Sequence, residues 1–95
     1  MIMERNFFRS RREHRSEDSY RPREEVLYHD DGSVYRVKVL ANNSNKKIIK
    51  YNLQVREILN SHPFLKDLKV GSLFECNKLR EAANHPALWH LTESI

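Results

Sequence analysis

The 95-residue chain has few of the residues that mark several large classes of protein. Its single cysteine excludes a disulfide-rich scaffold and a multi-thiolate zinc site, and is typical of a reducing environment. Two glycines are too few for a Rossmann or P-loop motif, which needs several glycines at fixed spacing. No apolar run reaches the roughly 18 residues of a membrane span. We therefore expect one small intracellular domain, nuclear or cytoplasmic and not secreted.

Charged side chains are abundant, at 32% of the residues, and they divide the chain into two parts. Residues 1–24 hold seven of the ten arginines, none of the seven lysines and few apolar side chains. A segment with so little to bury cannot offset about 1–2 kcal/mol of backbone entropy per ordered residue. We predict a disordered Arg/Ser-rich arm over residues 1–24 and a single small domain over residues 25–95.

The first half of the predicted domain has the pattern of an antiparallel sheet. Asp31-Gly32 is a dipeptide typical of type I′ turns, and the residues on either side of it are β-prone. Pairing across this turn gives three opposed pairs, Tyr28–Tyr35, Val26–Val37 and an ion pair between Glu25 and Lys38. Residues 42–45 are rich in Asn and predict a loop, and the alternation over residues 46–53 predicts a third strand.

The second half has helical spacing. Apolar residues fall on one helix face over residues 55–59, and a break is expected before Pro63. Ser72 and Glu75 have the spacing of a capping box that begins another helix. The predicted fold is therefore α+β, with a small three-stranded antiparallel sheet followed by two or three short helices, after the disordered N-terminal arm.

Two stretches of the second half share one pattern, at residues 55–68 and 79–91. Each has an apolar residue followed by Arg-Glu, then Asn, His and Pro, then two leucines three residues apart. The pattern predicts a short helix, a break, and a new turn that begins near the proline. Such helix-break-helix patterns arise by chance; the alternative is two equivalent corners that pack on each other or across a dimer.

The chain between Gly32 and Glu57 contains six basic residues and no acidic one. Lysines release condensed counterions from nucleic acid, and Asn or Ser side chains donate to phosphate oxygens. The domain residues expected to contact backbone phosphates are Arg36, Lys38, Lys46, Lys47 and Lys50. The arm residues expected to strengthen the encounter are Arg9, Arg11, Arg12 and Arg15. The alternatives are a lysine-rich edge that blocks strand aggregation and a solvated arm.

Three tyrosines fall on neighbouring predicted strands, Tyr28, Tyr35 and Tyr51. Such a cluster stacks bases or encloses a methylated lysine when exposed, and forms ordinary core when buried. The run from Asp30 to Leu40, DDGSVYRVKVL, resembles the first hairpin of Tudor-type barrels, which recognise methylated lysine or arginine. The resemblance is limited to this hairpin and implies a five-stranded barrel, from which the predicted helical half departs.

The sequence gives no indication of catalysis. Cys76 is the only thiol and lies on the predicted buried face of a helix, where a thiol acts as a small hydrophobe. A zinc site combining Cys76 with His62, His85 and His90 has no CxxC pair and unsuitable histidine spacing. We therefore expect a protein that is not an enzyme and has no cofactor or metal.

These patterns favour a non-catalytic module that binds RNA or DNA through a basic strand-loop surface. The alternative is a protein-interaction adaptor, which is either a homodimer docking through its helical half or a Tudor-like peptide reader. Neither reading involves a membrane or a small-molecule substrate.

Overall fold

The computed structural model describes residues 15–61, 68–82 and 88–94, and it is built of β-strands. The strands are β1 (Glu25–Asp30), β2 (Ser33–Asn42), β3 (Ile48–Asn60), β4 (Leu73–Leu79) and β5 (His90–Glu93), and a 3₁₀ turn (Arg80–Ala82) follows β4. They form one five-stranded sheet in the order β4-β3-β2-β1-β5. Every neighbouring pair is antiparallel.

The α+β class predicted from the sequence is wrong, because the described part of the second half forms strands. The apolar residues at 55–59 belong to the end of β3, where Val55 is buried while Ile58 and Leu59 are 40% and 45% exposed. Residues 73–79 form β4, which pairs with β3. Hydrogen bonding and packing against a neighbouring strand outweigh the weak local preference for helix.

Ser72 does not cap a helix. Its hydroxyl accepts a hydrogen bond from the backbone N–H of Lys69 at 2.9 Å, and its own N–H donates to the Lys69 carbonyl at 2.8 Å. Gly71 has a φ of 94°, the left-handed conformation that glycine adopts without strain. The carboxylate of Glu75 lies 3.2 Å from the Lys50 ammonium on β3. The residues of the predicted capping box therefore build the turn into β4 and its pairing with β3.

The predicted β1–β2 hairpin is confirmed. Asp31 and Gly32 have φ angles of 51° and 92°, as the type I′ turn requires. The observed register contains all three expected pairs, Tyr28–Tyr35, Val26–Val37 and Glu25–Lys38. The carboxylate of Glu25, however, lies 3.9 Å from the Arg56 guanidinium on β3. The strand predicted over residues 46–53 is present as β3, which continues further.

The core lies on one face of the sheet, because side chains alternate along each strand. Its buried members are Tyr20, Val26, Tyr28, Tyr35, Val37, Val39, Ile49, Tyr51, Leu53, Val55, Cys76, Trp89 and Leu91. The sheet curls around this core, since the ring of Tyr28 on β1 lies 5.0 Å from that of Phe74 on β4. The indole N–H of Trp89, just before β5, donates to the Asn77 carbonyl on β4 at 3.2 Å. The two edge strands are thus brought together.

Residues 15–24, which composition assigns to the arm, pack across the sheet, and we call them the strap. Tyr20 is buried, and its N–H donates to the Tyr51 hydroxyl at 3.1 Å. The Asn42 side-chain amide donates to the carbonyls of Asp18 and Tyr20, both at 2.9 Å. The strap is therefore attached by hydrogen bonds to Asn42 of β2 and Tyr51 of β3.

The two predicted proline corners fall in residues 62–67 and 83–87, outside the described residues. The described beginnings of the repeated pattern are not helices, because one lies at the end of β3 and the other at the end of β4 and in the 3₁₀ turn. A docking surface made from a helical half therefore has no basis in the described structure. Within the same ranges, no helix is long and apolar enough to cross a membrane.

Candidate functional site

Two of the domain residues predicted to bind phosphate contact carboxylates. The Arg36 guanidinium pairs with Glu57 of β3, and the Lys50 ammonium pairs with Glu75 of β4. These side chains are partly exposed, so each pair contributes only about 0–1 kcal/mol to stability. In the fold, carboxylates therefore lie beside the run without acidic residues: Glu57 at the end of the run and Glu75 on the neighbouring strand β4. Its positive charge is smaller in the fold than along the sequence.

Arg15 anchors the strap. Its guanidinium carbon lies 4.6 Å from the ring centroid of Tyr20, and the group pairs with Glu24 at 2.8 Å and with Glu93 at 3.5 Å. Two of its nitrogens also donate to the hydroxyl and the carbonyl of Ser19, each at 3.0 Å. Partial burial opposes the charge, but hydrogen bonds and attraction to the two carboxylates outweigh it and raise the pKa of Arg15. Arg15 therefore makes intramolecular contacts that stabilise the fold.

The other predicted arm residues, Arg9, Arg11 and Arg12, lie outside the described residues. Among the predicted domain residues, Lys38, Lys46 and Lys47 make no ion pair within the described ranges. Lys38 is partly buried on β2, whereas Lys46 and Lys47 are exposed at the β2–β3 loop. Exposed cations therefore remain at one end of the sheet.

Arg80 joins the two exposed lysines, and we call Lys46, Lys47 and Arg80 the basic corner. The Arg80 N–H donates to the Lys47 carbonyl at 3.0 Å, and its guanidinium donates to the Asn45 carbonyl at 2.7 Å. The guanidinium also lies 2.7 Å from the Asp18 carboxylate. A hydrogen bond from Ser16 and the contact with Arg80 together lower the pKa of the Asp18 carboxyl. Neither lysine pairs with a carboxylate of the described ranges, and both lie beside a guanidinium that is held in place.

A groove of about 460 Å³ runs along the basic corner. Leu79 and Glu81 complete its lining. Leu79 is 51% exposed and provides an apolar wall, while Glu81 is a single opposing charge. The charged groups that line the groove are therefore two lysines, an arginine that is already paired with Asp18, and one carboxylate.

The loop that carries the lysines is fixed by its own polar side chains. The Asn45 side-chain oxygen accepts hydrogen bonds from the N–H groups of Lys47 and Ile48, at 2.8 and 2.9 Å. The Ser44 hydroxyl accepts from the Lys50 N–H at 2.9 Å. The sequence suggests that such side chains donate to phosphate, but here they form the turn itself. They hold in place the backbone that carries the two lysines.

The tyrosines predicted as stacking or cage residues are buried, with Tyr28 5%, Tyr35 2% and Tyr51 0% exposed. The Tyr28 ring lies 6.1 Å from Tyr35 and 6.0 Å from Trp89. Burial raises the pKa of Tyr28, and it raises that of Tyr51 to about 12. The Tyr51 hydroxyl donates to the Glu17 carbonyl at 2.8 Å. These rings form part of the core and anchor the strap, so they present no surface on which a base could stack.

Sequence reasoning missed a buried lysine. Lys78 on β4 points into the core with its side chain 2% exposed, and its ammonium lies 2.9 Å from the Glu17 carboxylate. It donates to the Trp89 carbonyl at 2.7 Å and lies 4.3 Å from the Trp89 ring centroid. Glu17 also accepts a hydrogen bond from the Leu91 N–H at 2.6 Å. Cys76 and Lys78 are two residues apart, so in a strand they lie on the same face, and this spacing could have indicated that Lys78 is buried. The prediction of a helix over these residues led away from it.

The Cys76 thiol is buried and is not activated as a nucleophile. Burial raises the pKa of the Cys76 thiol to about 12, so it is protonated near neutral pH. No group of three or more His, Cys, Asp or Glu side chains in these ranges is placed to hold a metal ion.

The comparisons with known proteins add no assignment. A scan against family models, a search of curated proteins and a search of solved structures each give no match. We therefore infer function from the described side chains themselves. Of these, the basic corner is the group whose exposure and charge suit a ligand.

Proposed function

We propose that the protein is a non-catalytic module that binds the phosphate backbone of nucleic acid through the basic corner. The observation that carries the proposal is the exposure of Lys46 and Lys47 on a turn that Asn45 fixes, with no ion pair to any other described residue. Exposed lysines bind phosphates by releasing counterions, and a preformed turn reduces the entropy lost on binding. Arg36, Lys50 and Arg15 are left out of this interface because carboxylates neutralise them.

The burial of the tyrosines determines the expected mode of binding. Stacking on exposed rings is what favours single strands, and the tyrosines of the described sheet are in the core. Contacts to phosphates alone carry no base information. We therefore expect RNA or DNA to bind without sequence preference. Arg80 is already paired with Asp18, so the two lysines of the basic corner are expected to contribute about −2 to the slope of log affinity against log salt.

The first prediction tests this interface by fluorescence anisotropy of a labelled duplex in a salt series. The double variant K46A/K47A is expected to make the salt slope shallower by about two units, since one unit is lost for each phosphate contact. The charge-preserving variant K46R/K47R keeps the slope. Two further controls, K69A in the turn before β4 and R36A on β2, are expected to leave it unchanged.

Absence of binding at low salt, or an equal salt slope for K46A/K47A and the unsubstituted chain, contradicts the nucleic-acid proposal. A loss of affinity in K69A as large as that in K46A/K47A also contradicts it. Such a loss would show that affinity depends on the net charge of the protein and not on the basic corner.

A second candidate is a Tudor-like reader of methylated lysine or arginine. The observation that favours it is the five-stranded antiparallel sheet with a tight first hairpin. The resemblance of residues 30–40 to a Tudor-type hairpin implies five strands, whereas the predicted helices did not agree with it. Its cage would require access to rings that are now buried around Tyr28 and Trp89. Titration with methylated and unmodified histone-like peptides, followed by Trp89 fluorescence, separates the candidates. A saturable response to the methylated peptide alone supports the reader.

A further inference from the structure

An apolar side chain lies beside the cations of the basic corner. Leu79, the last residue of β4, is 51% exposed and lines the groove there. Its partner in the antiparallel register is Ile48, which is half-buried at the start of β3. The adjacent residues Lys78 and Ile49 are buried, so alternation along the strands places Leu79 and Ile48 on the outer face of the sheet. The groove therefore has an apolar wall next to two exposed lysines.

We propose that this groove holds one unstacked nucleotide of a single-stranded nucleic acid. The base packs against Leu79, and the neighbouring phosphates contact Lys46 and Lys47. This inference rests on the proposed function and adds to it the class of nucleic acid that binds. An apolar wall beside lysines suits a ligand that carries anionic groups next to apolar faces. A single strand is such a ligand, because each of its nucleotides joins a phosphate to a base whose face can be uncovered.

The apolar wall distinguishes a single strand from a duplex. In a duplex each base face is covered by its stacked neighbours, so Leu79 cannot pack against it. An unstacked base packs against apolar side chains as well as aromatic ones. The apolar area that is buried in this way adds free energy of binding to the single strand alone. The lysine contacts, in contrast, are available to both forms, because both carry phosphates.

The end of β4 and the β2–β3 loop are joined, so the groove exists before a ligand enters it. The Arg80 N–H donates to the Lys47 carbonyl at 3.0 Å, and the Arg80 guanidinium donates to the Asn45 carbonyl at 2.7 Å. The groove has a volume of about 460 Å³, within the range of about 300–1,000 Å³ that is typical of small-molecule sites. A preformed groove of this size loses little entropy when one nucleotide binds.

Glu81 determines which way round the nucleotide is expected to lie. It is exposed in the 3₁₀ turn after β4 and is the carboxylate of the groove lining. A carboxylate repels a phosphate and does not repel the face of a base. The backbone of the strand is therefore expected on the side of Lys46 and Lys47, with the base directed toward Leu79.

The second prediction uses fluorescence anisotropy with a labelled oligothymidine and with a labelled duplex of the same length, each in a salt series. L79A is expected to weaken binding of the single strand about three- to tenfold, and to change binding of the duplex less than about twofold. The salt slope stays unchanged, because leucine carries no charge. L79M keeps an apolar side chain and is expected to keep the affinity.

L73A is the matched control. Leu73 is the first residue of β4 and is 68% exposed, but it does not line the groove. L73A is therefore expected to bind both nucleic acids as the unsubstituted chain does. Thermal unfolding of L79A and L73A checks that both variants keep the fold, since substitutions at exposed positions have small effects on stability.

Equal single-strand affinities for L79A and the unsubstituted chain overturn the inference. Tighter binding of the duplex also overturns it when both salt series are extrapolated to about 1 M, where the counterion contribution vanishes. Neither result contradicts the proposed function if K46A/K47A still makes the salt slope shallower. Absence of binding by both nucleic acids at low salt contradicts the proposed function itself. Binding of anionic phospholipid vesicles through Leu79, without binding of the single strand, overturns the inference in favour of a lipid surface.

Discussion

Among single residues, Lys78 has the most demanding environment. An ammonium group in the core requires a partner, because moving it out of water costs several kcal/mol. Glu17 supplies the charge, and the Trp89 carbonyl and ring supply further attraction. The same carboxylate accepts a hydrogen bond from Leu91. A residue that composition counts as one more surface lysine therefore joins the strap to both edge strands.

The third prediction concerns this pair. K78M keeps the volume of the side chain but leaves the Glu17 carboxylate without its cation, so the free energy of unfolding is expected to fall by about 3 kcal/mol. The double variant K78M/E17Q is expected to be more stable than K78M alone, because a neutral amide oxygen still accepts from Leu91. Urea denaturation measures both changes. K69M, at an exposed position, should stay within about 0.5 kcal/mol of the unsubstituted chain. If the losses of stability in K78M and E17Q add up to the loss in the double variant, Lys78 and Glu17 are not coupled and the ion pair is refuted.

At the scale of elements, local and non-local signals were not equally informative. The β1–β2 hairpin is predictable because its turn chemistry and its alternation lie within a few neighbouring residues, and both agree. β4 is not predictable in this way. Ser72 and Glu75 have the spacing of a helix start, but residues 73–79 instead pair with the edge of β3, which is distant in sequence. The end of β3 is misread for a related reason. Register shifts along the β2–β3 pairing interrupt the two-residue alternation there.

The fourth prediction tests the turn that the sequence identifies. G32A places a Cβ on a residue with a φ of 92°, and is expected to lower the free energy of unfolding by about 1–2 kcal/mol. D31N keeps a side chain that tolerates positive φ and creates the favoured Asn-Gly pair, so it is expected to be neutral or stabilising. Thermal unfolding separates the two, since 1 kcal/mol corresponds to about 4–8 °C in a domain of this size. Equal melting temperatures for both variants would contradict the type I′ assignment.

On the scale of the whole molecule, the charge pattern of the sequence is redistributed by the fold. The run from Gly32 to Glu57 contains no acid, which suggested one continuous basic surface. Strand pairing places Glu75 beside Lys50 and Glu57 beside Arg36. Within the described ranges, the exposed cations of this run that have no ion pair are Lys46 and Lys47 at the β2–β3 loop. Lys46 and Lys47 were predictable because they lie in a loop. Arg80 was not, because its place beside them depends on the pairing of β4 with β3.

The strap has a similar non-local role in the fold. It carries few apolar residues, so composition assigns it to the arm, yet Tyr20 is 3% exposed and Glu17 contacts Lys78 of β4 and Leu91 of β5. The curled sheet leaves β4 and β5 unpaired with each other, and the strap joins them through one carboxylate. The chain from residue 25 onward is therefore expected to fold less stably than the chain from residue 15 onward.

The fifth prediction compares chains 15–95 and 25–95 by urea denaturation. The shorter chain loses the burial of Tyr20, about 2 kcal/mol, and keeps Lys78 in the core without its carboxylate. Both losses are large beside the 5–15 kcal/mol that stabilises a typical domain. K78M should then have opposite effects, destabilising 15–95, where it breaks the ion pair, and stabilising 25–95, where it removes an unpaired buried charge. The same sign in both chains would show that Glu17 is not the partner that makes the buried lysine tolerable.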